Sequence, residues 1–332
     1  MDAYFKVENL VKLFALKKRG QFFGKRIRVH AVDDVSFQVE KGKTYGVVGE
    51  SGCGKTTLAR LLMHLEKPTS GQMLFKGEDI TKFNRKQMKA LRRKMQMIFQ
   101  DPFGALNPVR TILNIIAEPI RVHKLYQGSK EEERDKVREM LETVGLPTSD
   151  DMLQKRPNEL SGGERQRVGI ARALILGPEF IVADEPVSML DASIRADIIS
   201  LIMKLKTEKD LTYFFITHEF GVARAICDRI SVMYAGKMVE VANADAIVDR
   251  PLHPYTELLI EAVPPLCPDE NWGKNIDIEG EVPYFTEPPP GCRFHLRCPH
   301  IMDVCKEEEP ALIEAAPGHF VACHMHKGLK KP

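Results

Sequence analysis

The chain has 332 residues, 43% hydrophobic and 28% charged, which is the balance of a folded globular protein of one large domain plus an appendage, or two modest domains. Forty-eight Lys and Arg against 46 Asp and Glu leave a net charge of +2, so no overall field draws nucleic acid or an anionic membrane. No apolar run approaches the ~18 residues of a membrane span, and the start, MDAYFKVENL, lacks the apolar stretch of a secretion signal. The expectation is a cytoplasmic-type chain whose membrane role, if any, is peripheral.

In chain order, the stretch 15–30 carries Lys17, Lys18, Arg19, Lys25, Arg26 and Arg28 with no acid, and reads as a solvated loop rather than a lipid- or phosphate-binding strip. Residues 31–40, with alternating apolar positions, and 44–49 read as two strands joined by the turn Lys41-Gly42-Lys43. The basic run Lys82 to Lys94 fits an amphipathic helix, again with a solvated charged face. A helix is predicted over 129–144, opened by the capping box Ser129 and Glu132, with Val137, Met140, Leu141 and Val144 on one face and Gly145 as its stop. A second box, Ser161 and Glu164, opens a helix to about Leu176 that Gly177-Pro178 closes. Then come a buried strand at 180–183, a helix at 193–206 and the strand YFFIT at 213–217. Strand alternating with helix predicts a mainly parallel α/β sheet.

Two motifs on this framework carry chemistry. Gly49-Glu-Ser51-Gly52-Cys53-Gly54-Lys55-Thr56 fits G-x-x-x-x-G-K-[ST] between the apolar strand and the helical run that begins at Thr57. Glycines let loop amides turn toward phosphates, and the helix start adds positive dipole. Lys55 is expected to reach the β- and γ-phosphates and the Thr56 hydroxyl to ligate Mg²⁺, whereas Cys53 is a small loop residue and not a nucleophile. Downstream, Phe180-Ile-Val-Ala-Asp184-Glu185 ends a buried strand with two acids. Asp184 is placed to hold Mg²⁺ and Glu185 to polarise an attacking water.

Leu160-Ser161-Gly162-Gly163-Glu164, followed by Arg165-Gln166-Arg167, resembles the signature motif of the ATP-binding cassette (ABC) ATPases. Gln100 in Phe-Gln-Asp-Pro is similar to their Q-loop, Ser188-Met-Leu-Asp191 to their D-loop, and Thr217-His218-Glu219 to their switch-histidine segment, although that family usually has Asp where Glu219 stands. The resemblance implies two cassettes closing head to tail, with the start of the 161–164 helix facing the partner's ATP. It also implies Glu185 as general base, His218 on the γ-phosphate, Gln100 near Mg²⁺, and an N-terminal aromatic stacked on adenine. Phe14 is the candidate for that aromatic, with Phe22 and Phe23 as alternatives. The ATP site is thus expected at Phe14, Gly49, Ser51, Gly52, Cys53, Gly54, Lys55, Thr56 and Thr57, with Mg²⁺ at Thr56, Gln100 and Asp184.

The last 69 residues differ from the rest. Residues 264–332 hold 11 of 21 prolines, 5 of 7 cysteines and 5 of 10 histidines, with 11 acids against 7 bases, which marks a separate module. Clustered cysteines without a secretory signal point to metal or a cluster before disulfides. Cys292, Cys298, Cys305 and Cys323 form the pattern, Cys267 lies outside it, and Cys227 is expected in the core. These cysteines, with Gln100-Asp-Pro-Phe-Gly-Ala-Leu-Asn-Pro108 and His253-Pro-Tyr-Thr256, resemble the ATPase subunits of oligopeptide/dipeptide importers, and the basic N-terminal loop with Asp184-Glu-Pro-Val-Ser188 resembles the second of their two paralogous subunits.

That resemblance implies ATP-driven uptake of oligopeptides or dipeptides at the cytoplasmic face of the membrane. The implied partners are a paralogous cassette (a heterodimer), two permease subunits and an extracytoplasmic binding protein. It also implies a [4Fe–4S] cluster on the four cysteines; Zn²⁺, with His295 or His324, and free thiols are the alternatives. Oligosaccharide cargo and a soluble ABC ATPase on nucleic acid or ribosomes are the rival functions; the small charge and single cassette speak against nucleic acid. The expected fold is α/β: a P-loop (RecA-like) ABC ATPase core over 1–250 with an antiparallel β subdomain and an inserted helical subdomain at about 101–165. A small Cys-rich module follows at 251–332.

Overall fold

A computed structural model describes residues 3–16, 27–125, 128–262 and 288–327. The basic residues at 17–19 and 25–26, the alternatives Phe22 and Phe23, and Cys267 lie outside the described residues. No helix among those described is long and apolar enough to cross a membrane.

Two sheets form the body. β1 (Phe5–Leu16) and β2 (Ile27–Val39) run antiparallel, with Phe5 opposite Val39. β3 (Thr44–Val48) leads through the phosphate-loop segment into α1 (Lys55–Leu62). β4 (Ser70–Phe75) and the short β5 (Glu78–Asp79) complete a sheet of order β2-β1-β4-β5. Next come α2 (Arg85–Lys94) and β6 (Met95–Ile98). The basic helix α2 forms where the charge run predicts it: Met88 and Leu91 are buried, and a capping box of Asn84 and Gln87 fixes its start.

The helical subdomain follows, with α3 (Pro102–Ala105), α4 (Ile112–Val122), α5 (Lys130–Thr143) and α6 (Asp150–Gln154). The Ser129–Glu132 box opens α5 as predicted, and Val137, Met140 and Leu141 are its buried face. α7 (Gly162–Leu174) returns the chain to the body; its Arg172 Nη1 donates to the Ala105 carbonyl at 2.7 Å, tying the subdomain back to the segment after Gln100.

The strand–helix alternation then continues as β7 (Phe180–Asp184), α8 (Ala192–Glu208), β8 (Thr212–Thr217), α9 (Phe220–Ile226), β9 (Arg229–Tyr234) and β10 (Lys237–Asn243). The C-terminal part adds α10 (Ala244–Asp249), α11 (Pro254–Glu261), α12 (Val304–Glu307), β11 (Ile313–Ala316) and β12 (His319–Val321). The second sheet has the order β11-β12-β10-β9-β3-β8-β7-β6. Its β9-β3-β8-β7-β6 part is parallel and its other edge antiparallel.

Aromatic side chains join the sheets. Phe5 of β1 stacks on Phe180 of β7 at 4.9 Å, and Phe37 of β2 on Tyr45 of β3, also at 4.9 Å. Composition marks the tail as separate, yet its strands extend the nucleotide-loop sheet: β12 pairs with β10 through Glu240 opposite Val321. Cys227 is buried as expected, against the glycine at position 46.

Candidate ATP-hydrolysis site

The parallel strands β3, β7 and β8 end side by side, and the predicted residues sit where they end. Such a crevice beyond the strand ends is the usual binding place of an α/β sheet. The 49–54 loop is pressed against backbone. A Cβ on Gly54 (φ 113°) would come within 2.2 Å of the Ala31 carbonyl oxygen, and one on Gly49 within 2.3 Å of the Met233 carbonyl oxygen. Only glycine fits at both. Cys53 is buried, and burial pushes its thiol up, which agrees with a packing residue. Ser51, Gly52, Thr56 and Thr57 complete the loop and the first turn of α1.

Lys55 is 4% exposed. Its ammonium donates to the Gly49 carbonyl at 2.6 Å and the Glu50 carbonyl at 2.9 Å, and lies 3.7 Å from Glu185 Oε1. The Thr56 hydroxyl donates to Asp184 Oδ1 at 3.3 Å. Burial pushes the Asp184 carboxyl up to about 6. A hydroxyl and a carboxylate, both hard oxygen donors, suit Mg²⁺.

Glu185 is the hub. Its backbone is left-handed (φ 44°), held by a bond from its N–H to the Ile216 carbonyl at 2.9 Å. Oε2 accepts from Gln100 Nε2 at 3.2 Å and pairs with His218 Nδ1 at 3.1 Å. The bond from His218 holds the carboxyl below its usual range, and the same bond raises the His218 imidazole. Lys55, Thr56, Asp184, Glu185, Gln100 and His218 are therefore one cluster, although they span positions 55 to 218.

Glu219, where the family usually has Asp, stays next to this cluster. It receives Arg195 of α8 at 2.6 Å, and so ties the switch segment to the D-loop helix. Asp191 caps that helix, accepting from the Ile194 N–H at 3.0 Å. The cap on the signature helix is as the sequence predicts. Ser161 Oγ accepts from the Glu164 N–H, and Glu164 Oε2 from the Ser161 N–H. This leaves the amides of Gly162 and Gly163 without intrahelical partners, as at any helix start. Gly163 packs under Ile194, where a Cβ would meet Cγ2 at 2.6 Å. Phe14, half-buried on β1, lies opposite Val29 and under the Lys12 ammonium, two residues along β2 from the Ala31 carbonyl that touches the loop.

A family model for the ABC transporter matches residues 32–188, and one for the oligopeptide/dipeptide transporter C-terminal region matches residues 239–305. The oligopeptide transport ATP-binding protein AppF of Bacillus subtilis (strain 168) is 48% identical over 326 residues, covering 96% of this chain and 98% of that protein. The chain belongs to the ABC transporter family, in its oligopeptide/dipeptide branch. It is an ABC ATPase.

Solved cassettes agree. The ATP-binding cassette MJ0796, in a dimeric post-hydrolysis state bound to ADP and phosphate, superposes with a TM-score of 0.63 at 29% identity, over 72% of this chain and 98% of that one. cbiO1 from Clostridium perfringens, part of the ABC transporter complex cbiONQ, gives 0.61 at 25% identity, over 75% and 92%.

The C-terminal cysteines also come together. Cys292, Cys298, Cys305 and Cys323 line one small cavity, about 10 Å³, with Phe294 and Met302. His253, His295 and His324 border it too. Burial raises the Cys292 thiol to about 11 and also raises those of Cys298 and Cys323. Among the described residues, no three His, Cys, Asp or Glu side chains are drawn together tightly enough to hold a metal ion. Sequence reasoning missed Arg195, Tyr255 and Arg297, each of which touches a motif residue from far along the chain. Only the His-Pro-Tyr segment gave a signal, and that signal carried no role.

Proposed function

We propose that this cassette powers the uptake of oligopeptides or dipeptides through a membrane permease, docked as a peripheral subunit on its cytoplasmic face. The observation that carries the reading is Glu185, joined to Lys55, Gln100 and His218 in one cluster on a chain with an oligopeptide/dipeptide-type C-terminal region. Residues 1–250 would form the cassette and 251–332 an accessory module fused to its sheet.

The loop amides and Lys55 bind the phosphates, Lys55 exchanging the carbonyls of Gly49 and Glu50 for phosphate oxygens. Thr56 and Asp184, with Gln100 at the edge, would hold Mg²⁺, which neutralises phosphate charge. Glu185 accepts the proton of the attacking water, and His218 directs positive charge at the γ-phosphate. Phe14 stacks on adenine. Ser161, Gly162, Gly163 and Glu164 cap the ATP of a paralogous cassette, and Asp191 lies at the seam. The segment 100–108 receives the permease. ATP draws the two cassettes together, and hydrolysis lets them part.

Cys292, Cys298, Cys305 and Cys323 would hold a [4Fe–4S] cluster. What supports this reading is that the four thiols line one cavity. The test of function is reconstitution in lipid vesicles with the paralogous cassette, two permease subunits and the extracytoplasmic binding protein. Peptide-loaded binding protein should stimulate ATP hydrolysis. Stimulation by oligosaccharide in place of peptide would overturn the cargo.

A further inference from the structure

Every polar group of Glu50, the residue after the first glycine of the phosphate loop, is engaged. Its carbonyl accepts from Lys55 at 2.9 Å, and its N–H donates to the Tyr255 hydroxyl at 2.9 Å. Its carboxylate takes two parallel bonds from Arg297, Nη1 at 2.9 Å and Nη2 at 3.0 Å. Two of these three partners belong to the C-terminal part: Tyr255 on α11, and Arg297 between Cys292 and Cys298. The Arg297 side chain is 8% exposed and that of Glu50 26%, so this two-pronged pair is shielded from water far better than an ordinary surface bridge. Behind it, the rings of Tyr255 and Phe294 pack 5.3 Å apart, and Phe294 also lines the cysteine cavity. A continuous packed path therefore runs from the thiols to the phosphate loop.

The pairing answers an electrostatic problem. A carboxylate in a loop built to cradle phosphates repels the ligand unless a cation cancels it, and a displaced Glu50 also moves a carbonyl that positions Lys55.

We propose that Arg297 is a positioning residue for nucleotide binding. It neutralises Glu50 and fixes the loop from the C-terminal side, and nucleotide affinity thereby depends on the integrity of the cysteine-lined cavity. This rests on the 49–56 loop being the nucleotide site, as proposed above.

The experiment is equilibrium titration of the full-length chain with a fluorescent ATP analogue and Mg²⁺, alongside steady-state hydrolysis. Arg297→Ala should weaken nucleotide binding about tenfold and raise KM, while kcat at saturating ATP stays within about twofold. Adding Glu50→Gln to Arg297→Ala should restore most of the affinity, because the uncancelled charge is gone; a merely structural arginine would show no such rescue. Cys298→Ser should weaken binding on its own, and add little in the Arg297→Ala background. Arg297→Lys, which keeps the charge but not the fork, should fall between wild type and Arg297→Ala, and it serves if the alanine variant does not fold. Affinity of Arg297→Ala within twofold of wild type, or no rescue by Glu50→Gln, would overturn the role of Arg297. Independent, additive effects of Cys298→Ser would overturn the dependence on the cavity. Failure of the unaltered chain to bind the analogue would instead overturn the nucleotide-site reading.

Discussion

At the scale of single residues, the site is a set of charges held in waiting. Lys55 is buried among carbonyls, and Glu185 is tied to three donors, Lys55, Gln100 and His218. Each bond is of a kind that phosphates can replace. Glu185→Gln keeps the shape and the bond to the switch histidine but cannot take a proton. Hydrolysis should fall at least ~100-fold while ATP affinity stays near wild type, measured by phosphate release and equilibrium binding. Near-normal turnover would remove Glu185 as the base. Lys55→Ala deletes the cation proposed to reach the phosphates, so ATP binding should be lost in the same assay; unchanged affinity would contradict the cradle.

At the scale of elements, one buried acid joins three pieces of chain. Glu240 of β10, 0% exposed, accepts from the Leu252 and His253 N–H groups at 2.8 and 3.0 Å and from His319 Nε2 at 2.7 Å. It thereby binds the start of α11 and strand β12 to the sheet. Glu240→Gln has one acceptor oxygen where two are used, and should destabilise the chain by about 2–4 kcal/mol in denaturant unfolding.

Beside it, burial pushes the His253 imidazole down to about 4, and the neutral ring caps α11 by accepting from the Tyr255 N–H. In the unfolded chain this ring takes its proton near pH 6.5, whereas in the folded chain it waits until about 4. Stability is therefore lost as pH falls through that window, by up to about 3 kcal/mol from this group. His253→Asn keeps a capping acceptor without the titration. Its melting temperature should fall less steeply between pH 7 and pH 4.5 than that of wild type; parallel curves would exclude His253 as the source.

At the scale of the whole molecule, the contacts that bolt the C-terminal region to the cassette include β12 on β10, Arg297 on Glu50, and Arg293 on Asp33 and the Ala235 carbonyl. A module held this closely gives its four cysteines a fixed place. Anaerobically purified protein should be brown, with about four iron and four sulfide per chain. Zinc without iron would refute the cluster and leave the cysteine cavity as a different metal site.

Local chemistry made much of this legible. The glycine-rich loop, the capping boxes at Ser129 and Ser161, and the apolar run ending in Asp184-Glu185 are decided by neighbours a few residues apart, so the sequence alone determined the strand–loop–helix unit, the signature helix and the family they resemble. The tertiary structure decided what depends on chain ends meeting. That Gln100, Glu185 and His218 share one carboxylate follows from parallel strands lying side by side, which no local spacing encodes. The tail looked detached because proline, cysteine and charge shift abruptly at about residue 264. Yet backbone hydrogen bonding to the β10 edge and an ion pair to Glu50, 247 residues away in sequence, join it to the sheet and to the glycine-rich loop. Edge pairing and buried ion pairs are settled by geometry in three dimensions, and composition is blind to them.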